Sequence, residues 1–240
     1  MHESTFNELL TSLNRGESQK LTFSRPLTTT VELANHWTPG KGAAGEGVVL
    51  YGPDTIYLVR QFEGGPFIGL VQEASLYDLH WYSLPEYRGK GYLSAALKSV
   101  VLPHLFQDNR DFQHITIDGT VLNEENFQAS VRLAKAVGFK YTHEESGVIH
   151  YKIGRGMFNR RAYIDGELSP LTDVRAKEIR KEISDHFTLL EVLQSELEMK
   201  LGNTRDLFQI KKDLDLLKCN FDSVVSDAYM DHRILYVKNL

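Results

Sequence analysis

Apolar positions along the chain first recur at helical spacing. In ESTFNELLTSLN, Phe6, Leu9, Leu10 and Leu13 share one side of a helix. LTFSRPL (21–27) reads as a short strand. The hydroxyls of Thr28, Thr29 and Thr30 suit helix capping, which predicts a helix over VELANHW (31–37). TPGKGAAGEG (38–47) predicts a loop. Its glycines suggest a phosphate loop, but the spacing is absent. Asn35 stands five positions before Gly40, and Gly42 follows Lys41 where a Ser or Thr is needed. A surface loop is the reading that remains.

Three extended segments come next. TIYLVRQF (55–62) and FIGLVQEA (67–74) flank Glu63-Gly64-Gly65-Pro66, a hairpin turn by composition. YDLHWYSL (77–84) puts Tyr77, Leu79, Trp81 and Ser83 on one face and Asp78, His80 and Tyr82 on the other. LSAALKSVVLPHLF (93–106) returns to helical spacing, with Pro103 expected to end or kink it. HITIDGTV (114–121) predicts a strand, ENFQASVRLAKAV (125–137) an amphipathic helix stopped by Gly138, and FKYTHEESGVIHYKI (139–153) a last hairpin. Strands and helices in this order predict an α/β domain with a mixed sheet over residues 1–153.

Beyond Ile153 the pattern changes. Residues 154–172 read as a linker with three arginines and a Ser-Pro. From Asp173 to Leu201 the positions Ala176, Ile179, Ile183, His186, Leu190, Leu193, Leu197 and Lys200 alternate by three and four. Gly202-Asn203 breaks that helix and Thr204 can cap the next, where Leu207, Ile210, Leu214, Leu217, Phe221, Val224 and Ala228 keep the same spacing. Residues 173–240 therefore predict an antiparallel α-helical hairpin of coiled-coil character. One hairpin leaves part of its seam uncovered, so residues 173–230 are expected to pair with a second copy in a homodimer or with a partner protein.

Composition narrows the classes. At 240 residues with 42% hydrophobic and 10% aromatic side chains, the chain can bury a full core. The net charge of −5 is shared, about −3 up to residue 155 and about −2 beyond, so no basic block points to nucleic acid. Cys219 is the single cysteine, which excludes an internal disulfide and fits a reducing, cytoplasmic setting. No apolar run has membrane-spanning length, and MHESTFNELL lacks the build of a signal peptide. The nine histidines show no zinc-site spacing, no metal is expected, and no Gly-x-Ser-x-Gly elbow is present.

The chemistry concentrates in LPEYRGKGYLSAAL (84–97). Arg88, Gly89, Lys90, Gly91 and Tyr92 stand where a strand passes into a helix. Glycines allow close backbone approach, and a helix start offers N–H groups and a positive dipole end, so an anion is the expected ligand. This stretch resembles the acyl-CoA site of the GNAT N-acyltransferase superfamily: Arg or Gln, two residues, Gly, one residue, then Gly or Ala. A second landmark of that family, a strand, an Asn-bearing turn, a helix and then Gly-Phe, is matched by ITIDGTVLNEENFQASVRLAKAVGF. The resemblance covers roughly residues 20–153. It implies an N-acetyltransferase that moves an acetyl group from acetyl-CoA to a primary amine, of a small molecule or a protein, by direct attack in a ternary complex. It also implies that Arg88, Gly89, Lys90, Gly91, Tyr92 and Leu93 hold the coenzyme pyrophosphate, that Trp81 and Ser83 meet the pantetheine and acyl group, and that Asn126 adds a coenzyme contact. The acceptor pocket would lie near residues 28–47 and 140–150.

Three positions depart from the family pattern. Leu93 replaces Gly or Ala, Phe127 occupies the usual asparagine position, and Ala134 stands where many members have a tyrosine that protonates the departing thiolate. The base is sought among Glu73, Asp78 and His80, with Glu73 and His80 as the catalytic candidates, His80 because its reference pKa is near neutral. His143-Glu144-Glu145 could attract a cationic amine or be a charged turn. The alternative to an enzyme is a non-catalytic or CoA-sensing protein of this fold that acts through its helical hairpin.

Overall fold

Strand alternation in the first half of the chain produces an antiparallel meander. The computed structural model describes residues 3–17, 21–41, 48–75, 78–107, 110–157, 172–202 and 205–238. After helix α1 (Glu3–Asn14), strands β1 (Thr22–Pro26), β2 (Val31–Lys41), β3 (Val48–Arg60), β4 (Phe67–Ser75) and β5 (Asp78–Ser83) pair in sequence order, all antiparallel. The crossing helix follows as α2 (Tyr92–Ala96), a π turn (Leu97–Val101) and α3 (Leu102–Leu105). Pro103 has no N–H to donate, and the helix widens by one π turn ahead of it and runs on through Leu105. Then come β6 (Phe112–Asp118), α4 (Glu124–Val137), β7 (Lys140–Glu145) and β8 (Val148–Gly154), the strands ordered β6-β8-β7. Helices α5 (Asp173–Leu201) and α6 (Arg205–Lys238) complete the chain. The chain divides into two compact units, Met1–Leu168 and Ser169–Leu240.

The α/β class is as the patterning predicts, with three corrections. VELANHW is strand, not helix: the Thr28 hydroxyl accepts from the N–H groups of Thr30 and Val31, closing a tight turn between β1 and β2. The same hydroxyl geometry serves a turn or a helix cap, and β2 wins because it pairs on both sides. Residues 38–41 of the expected loop belong to β2, and 42–47 lie outside the described residues. The expected mixed sheet is two antiparallel sheets whose edge strands β5 and β6 are neighbours without a shared ladder. One side chain spans that gap, the Asp78 carboxylate accepting from Thr116 N (2.9 Å) and Thr116 Oγ1 (2.8 Å).

Two cores hold the first unit. Val31, Tyr57, Val71 and Leu79 pack with Leu97, Val101, Ile115, Ala134 and Phe139 between the sheets and helices α2–α4. On the other face of the five-stranded sheet, Phe6, Leu9 and Leu10 of α1 cover Ala34, Ile56, Leu58, Leu70 and Tyr82. Asn14 fixes the end of α1 by two bonds to the Phe67 backbone, donating to its carbonyl (2.9 Å) and accepting from its N–H (2.7 Å).

In the second unit α5 and α6 pack together; the predicted seam holds at the start of α5, where Ala176 is buried and Ile179 and Ile183 are half-buried, and gives way further along to a face one residue on. Ala176, Phe187 and Gln194 of α5 and Val225 of α6 are buried, whereas Leu190, Leu193, Leu197, Ile210, Leu217, Phe221 and Val224 are all exposed. Arg180 of α5 donates to Ser226 of α6 (3.1 Å). Most of the expected linker (158–171), and Asn203, Thr204 and the side chains of Leu207 and Ala228, lie outside the described residues. Among the described residues no helix is long and apolar enough to cross a membrane.

Candidate functional site

Where β5 and β6 part, a cavity of about 890 Å³ opens, lined by both strands, by the turn before α2 and by α4. Its size suits a ligand larger than a simple metabolite. The last pairing bond of β5 with β4 runs from Leu84 N to Ile68 O (2.9 Å), after which Pro85–Tyr87 form a short 3-10 turn. Gly89 and Gly91 then take φ of 72° and 82°. A Cβ at either would meet nothing within 4 Å, so it is the left-handed backbone, not crowding, that selects glycine. Gly91 is the residue before α2, and no side chain caps that helix. By contrast the Asn123 side chain caps α4 and the Thr172 side chain caps α5. Both the α2 and α4 starts border the cavity, and of the two only that of α2 is left uncapped, which suits it to an oxyanion.

Arg88 organises the mouth. Its Nε donates to Ser83 O (3.1 Å), its Nη1 to Asn126 Oδ1 (2.9 Å) and its Nη2 to the Glu3 carboxylate. Asn126 in turn donates from Nδ2 to Glu3 Oε2 (2.8 Å). The guanidinium also lies 5.6 Å from the Tyr82 ring centre, and burial holds the Tyr82 phenol above its ordinary range. Trp81, Ser83, Arg88, Gly89, Gly91, Tyr92, Leu93 and Asn126 all line the cavity. Lys90 does not; its ammonium lies 5.3 Å from the Tyr87 ring centre. The Trp81 indole N–H donates to Ser130 of α4 (3.4 Å), fixing the ring at the wall. Leu93, besides bordering the cavity, is buried in the core.

The two catalytic candidates separate. His80 lines the cavity, and its Nε2 is 3.4 Å from Asp78 Oδ2. Burial pushes the Asp78 carboxyl up, but bonds from His80 and Thr116 outweigh it and leave the group below the usual carboxylate value. Glu73 is not part of the cavity wall. Its carboxylate is paired with Arg110 (2.7 Å), whose Nη1 also donates to Gln113 (2.8 Å). Asp78, the third carboxylate-or-histidine candidate on these strands, is the bridge between β5 and β6 through Thr116, 38 residues away, and no local pattern announces that role. Glu3 at the mouth is likewise invisible in sequence.

The departures also find places. Phe127 packs against the core, and Ala134 is fully buried within it, while Leu133 and Ala136 of the same helix line the cavity. Neither the β2 residues near 31–41 nor the β7–β8 hairpin lines this cavity. His143 and His150 stack at 4.2 Å on that hairpin. Among the described residues no group of three or more His, Cys, Asp or Glu side chains could hold a metal.

No protein-family model and no curated protein matches the chain. Several solved structures are similar over part of it. A domain from Methanocaldococcus jannaschii aligns at 21% identity over 42% of this chain and 65% of that domain, TM-score 0.34, so the chain spans under two thirds of it. Spermidine N-acetyltransferase from Vibrio cholerae aligns at 21% over 45% of this chain and 70% of the enzyme, TM-score 0.35. A GNAT-family acetyltransferase from Bacillus anthracis aligns at 16% over 41% of this chain and 65% of that protein, TM-score 0.33. These structures include the family that the Arg88–Leu93 turn resembles, and likenesses of this score and identity assign neither activity nor substrate.

Proposed function

We propose that the first unit is an acetyl-CoA-dependent N-acetyltransferase acting on a primary amine. The observation that supports this most is the uncapped start of α2, preceded by two left-handed glycines and opening on a cavity at the parting of two strand edges. The amides from Gly89 to Leu93 would receive the coenzyme pyrophosphate, with the helix dipole adding favourable charge. β5 has no ladder partner on the side of β6, so main-chain groups on that edge near Trp81 are available to the pantetheine arm and the acyl carbonyl, while the Ser83 carbonyl is taken by Arg88. The acceptor amine attacks the thioester carbon, the C–S bond breaks, and the coenzyme leaves as thiolate. His80, at the cavity wall and held by Asp78, takes the amine proton directly or through water. No hydroxyl at Ala134 serves the thiolate, whose low basicity, near pKa ~8.5–10, leaves it little need of one.

A second reading, a protein that holds CoA without turning it over, draws support from the fully buried Ala134. In either case the exposed apolar row on α5 and α6 suits the second unit to self-association or to a partner. Titration calorimetry with acetyl-CoA tests the site: binding that is lost in Gly91→Glu supports it, and no binding by the folded protein refutes it. Release of free thiol across a panel of amines separates the enzyme from the CoA-holding protein.

A further inference from the structure

The mouth of the cavity already holds an oxyanion, and it belongs to the protein. Glu3, in the first turn of α1, lines the cavity and offers one carboxylate oxygen to Arg88 Nη2 and the other to Asn126 Nδ2 (2.8 Å). The two donors are linked to each other, Arg88 Nη1 donating to Asn126 Oδ1 (2.9 Å), and Arg88 Nε is tied separately to Ser83 O (3.1 Å). Arg88 and Asn126 thus make a two-point receptor that keeps an anchor, Ser83, which does not involve Glu3. A guanidinium beside an amide N–H suits a phosphate oxygen as well as a carboxylate. The receptor adjoins the Gly89–Leu93 turn, because Arg88 is the residue that opens it.

Glu3 is also the part of α1 that can most easily let go. Its side chain is 44% exposed and that of Arg88 34%, so water screens the pair. Helix α1 is held from further along, by Phe6, Leu9 and Leu10 in the core and by Asn14 on the Phe67 backbone. When the carboxylate leaves, the first turn can loosen while the rest of the helix stays packed.

We propose that Glu3 is an exchangeable internal ligand of the Arg88–Asn126 pair, displaced by a phosphate oxyanion of the incoming coenzyme, so that the start of α1 sets the affinity of the site. The proposal rests on the Gly89–Leu93 turn taking a phosphate. Its consequence runs against the usual effect of removing an ion pair: loss of the Glu3 charge strengthens ligand binding instead of weakening it.

The test is calorimetry of the full chain with CoA, comparing the native protein with Glu3→Gln, at low and high salt. Glu3→Gln is expected to bind roughly two- to fivefold tighter at low salt, the range a half-exposed competing ion pair can supply. The difference should shrink as salt screens the competitor. Hydrogen exchange supplies the second readout. CoA should speed exchange at the amides of Asn7 and Glu8, which bond back to residues 3 and 4 in the first turn of α1, in the native protein and not in Glu3→Gln. If the native protein binds CoA and Glu3→Gln binds equally or more weakly, the coenzyme site stands and the exchange is overturned. If affinity rises but α1 exchange does not respond to CoA, a plain charge effect replaces displacement and the proposal is overturned. If neither protein binds CoA while both are folded, the phosphate turn and the exchange fall together.

Discussion

Glu73→Gln distinguishes a carboxylate that holds the fold from one that handles a proton. Glu73 lies on β4, and its partner Arg110 lies just before β6. The two side chains are 17% and 8% exposed, at 2.7 Å, so both charges have largely left water. Removing one member of such a pair leaves the other uncompensated, at about 3–5 kcal/mol. Glutamine still offers an oxygen to the guanidinium, and Gln113 accepts a second bond, which places the expected cost near the lower figure, about 3 kcal/mol. For a unit of this size that corresponds to a fall in melting temperature of about 6–12 °C. The assay pairs thermal unfolding, followed by circular dichroism, with acetyl-CoA turnover measured well below the transition. The expected result is a lower Tm with turnover within about threefold of the native protein, since mutations remote from the reacting atoms leave the chemical step largely intact. A Tm within 2 °C of native together with a hundredfold loss of turnover would make Glu73 a catalytic carboxylate and refute the structural assignment.

Three further outcomes are expected. His80→Gln should lower kcat by about a hundredfold, the lower end of general-base effects, with CoA affinity unchanged by calorimetry; an unaltered kcat would remove His80 from the reaction. The Asp78 carboxyl is held below its usual value in the fold, because bonds from His80 and Thr116 outweigh burial, so its contribution to stability is present above the unfolded value and is lost as pH falls through the lower folded one. Urea midpoints from pH 6 downward should therefore fall more steeply for the native protein than for Asp78→Asn, and parallel curves would contradict the bridge to Thr116. Leu217→Glu should shift the protein to a smaller sedimenting species if the exposed row on α6 is an assembly face, and no shift would leave that row without such a role.

Much of the first unit is legible because it is local. Gly89, Gly91 and the helix that follows announce themselves through backbone sterics within a few residues, and the structure shows both glycines left-handed at that helix start. The strands at 55–62 and 67–74 follow from short apolar runs about the Glu63–Pro66 turn, buried on both faces, and that at 77–84 from its alternating faces. VELANHW misleads because a threonine hydroxyl satisfies a turn as readily as a helix start, and only pairing with β1 and β3 decides between them. The seam on α5 holds as far as Ile183 and is one residue out of place from Phe187 on, since a run with Leu189, Leu190, Val192 and Leu193 offers apolar side chains to more than one face.

The site divides along the same line. Element types, the phosphate-suited turn and the residues that flank it are determined by the sequence itself, because each depends on neighbours within one turn or one strand. Only the tertiary structure decides that β5 and β6 part instead of pairing, that Glu73 faces Arg110 while His80 faces the cavity, and that Glu3 reaches Arg88 and Asn126, 85 and 123 residues away. Those outcomes turn on which polar groups meet after the cores of both sheet faces have closed. A charged or amide side chain carries no mark along the chain of the partner that burial will give it.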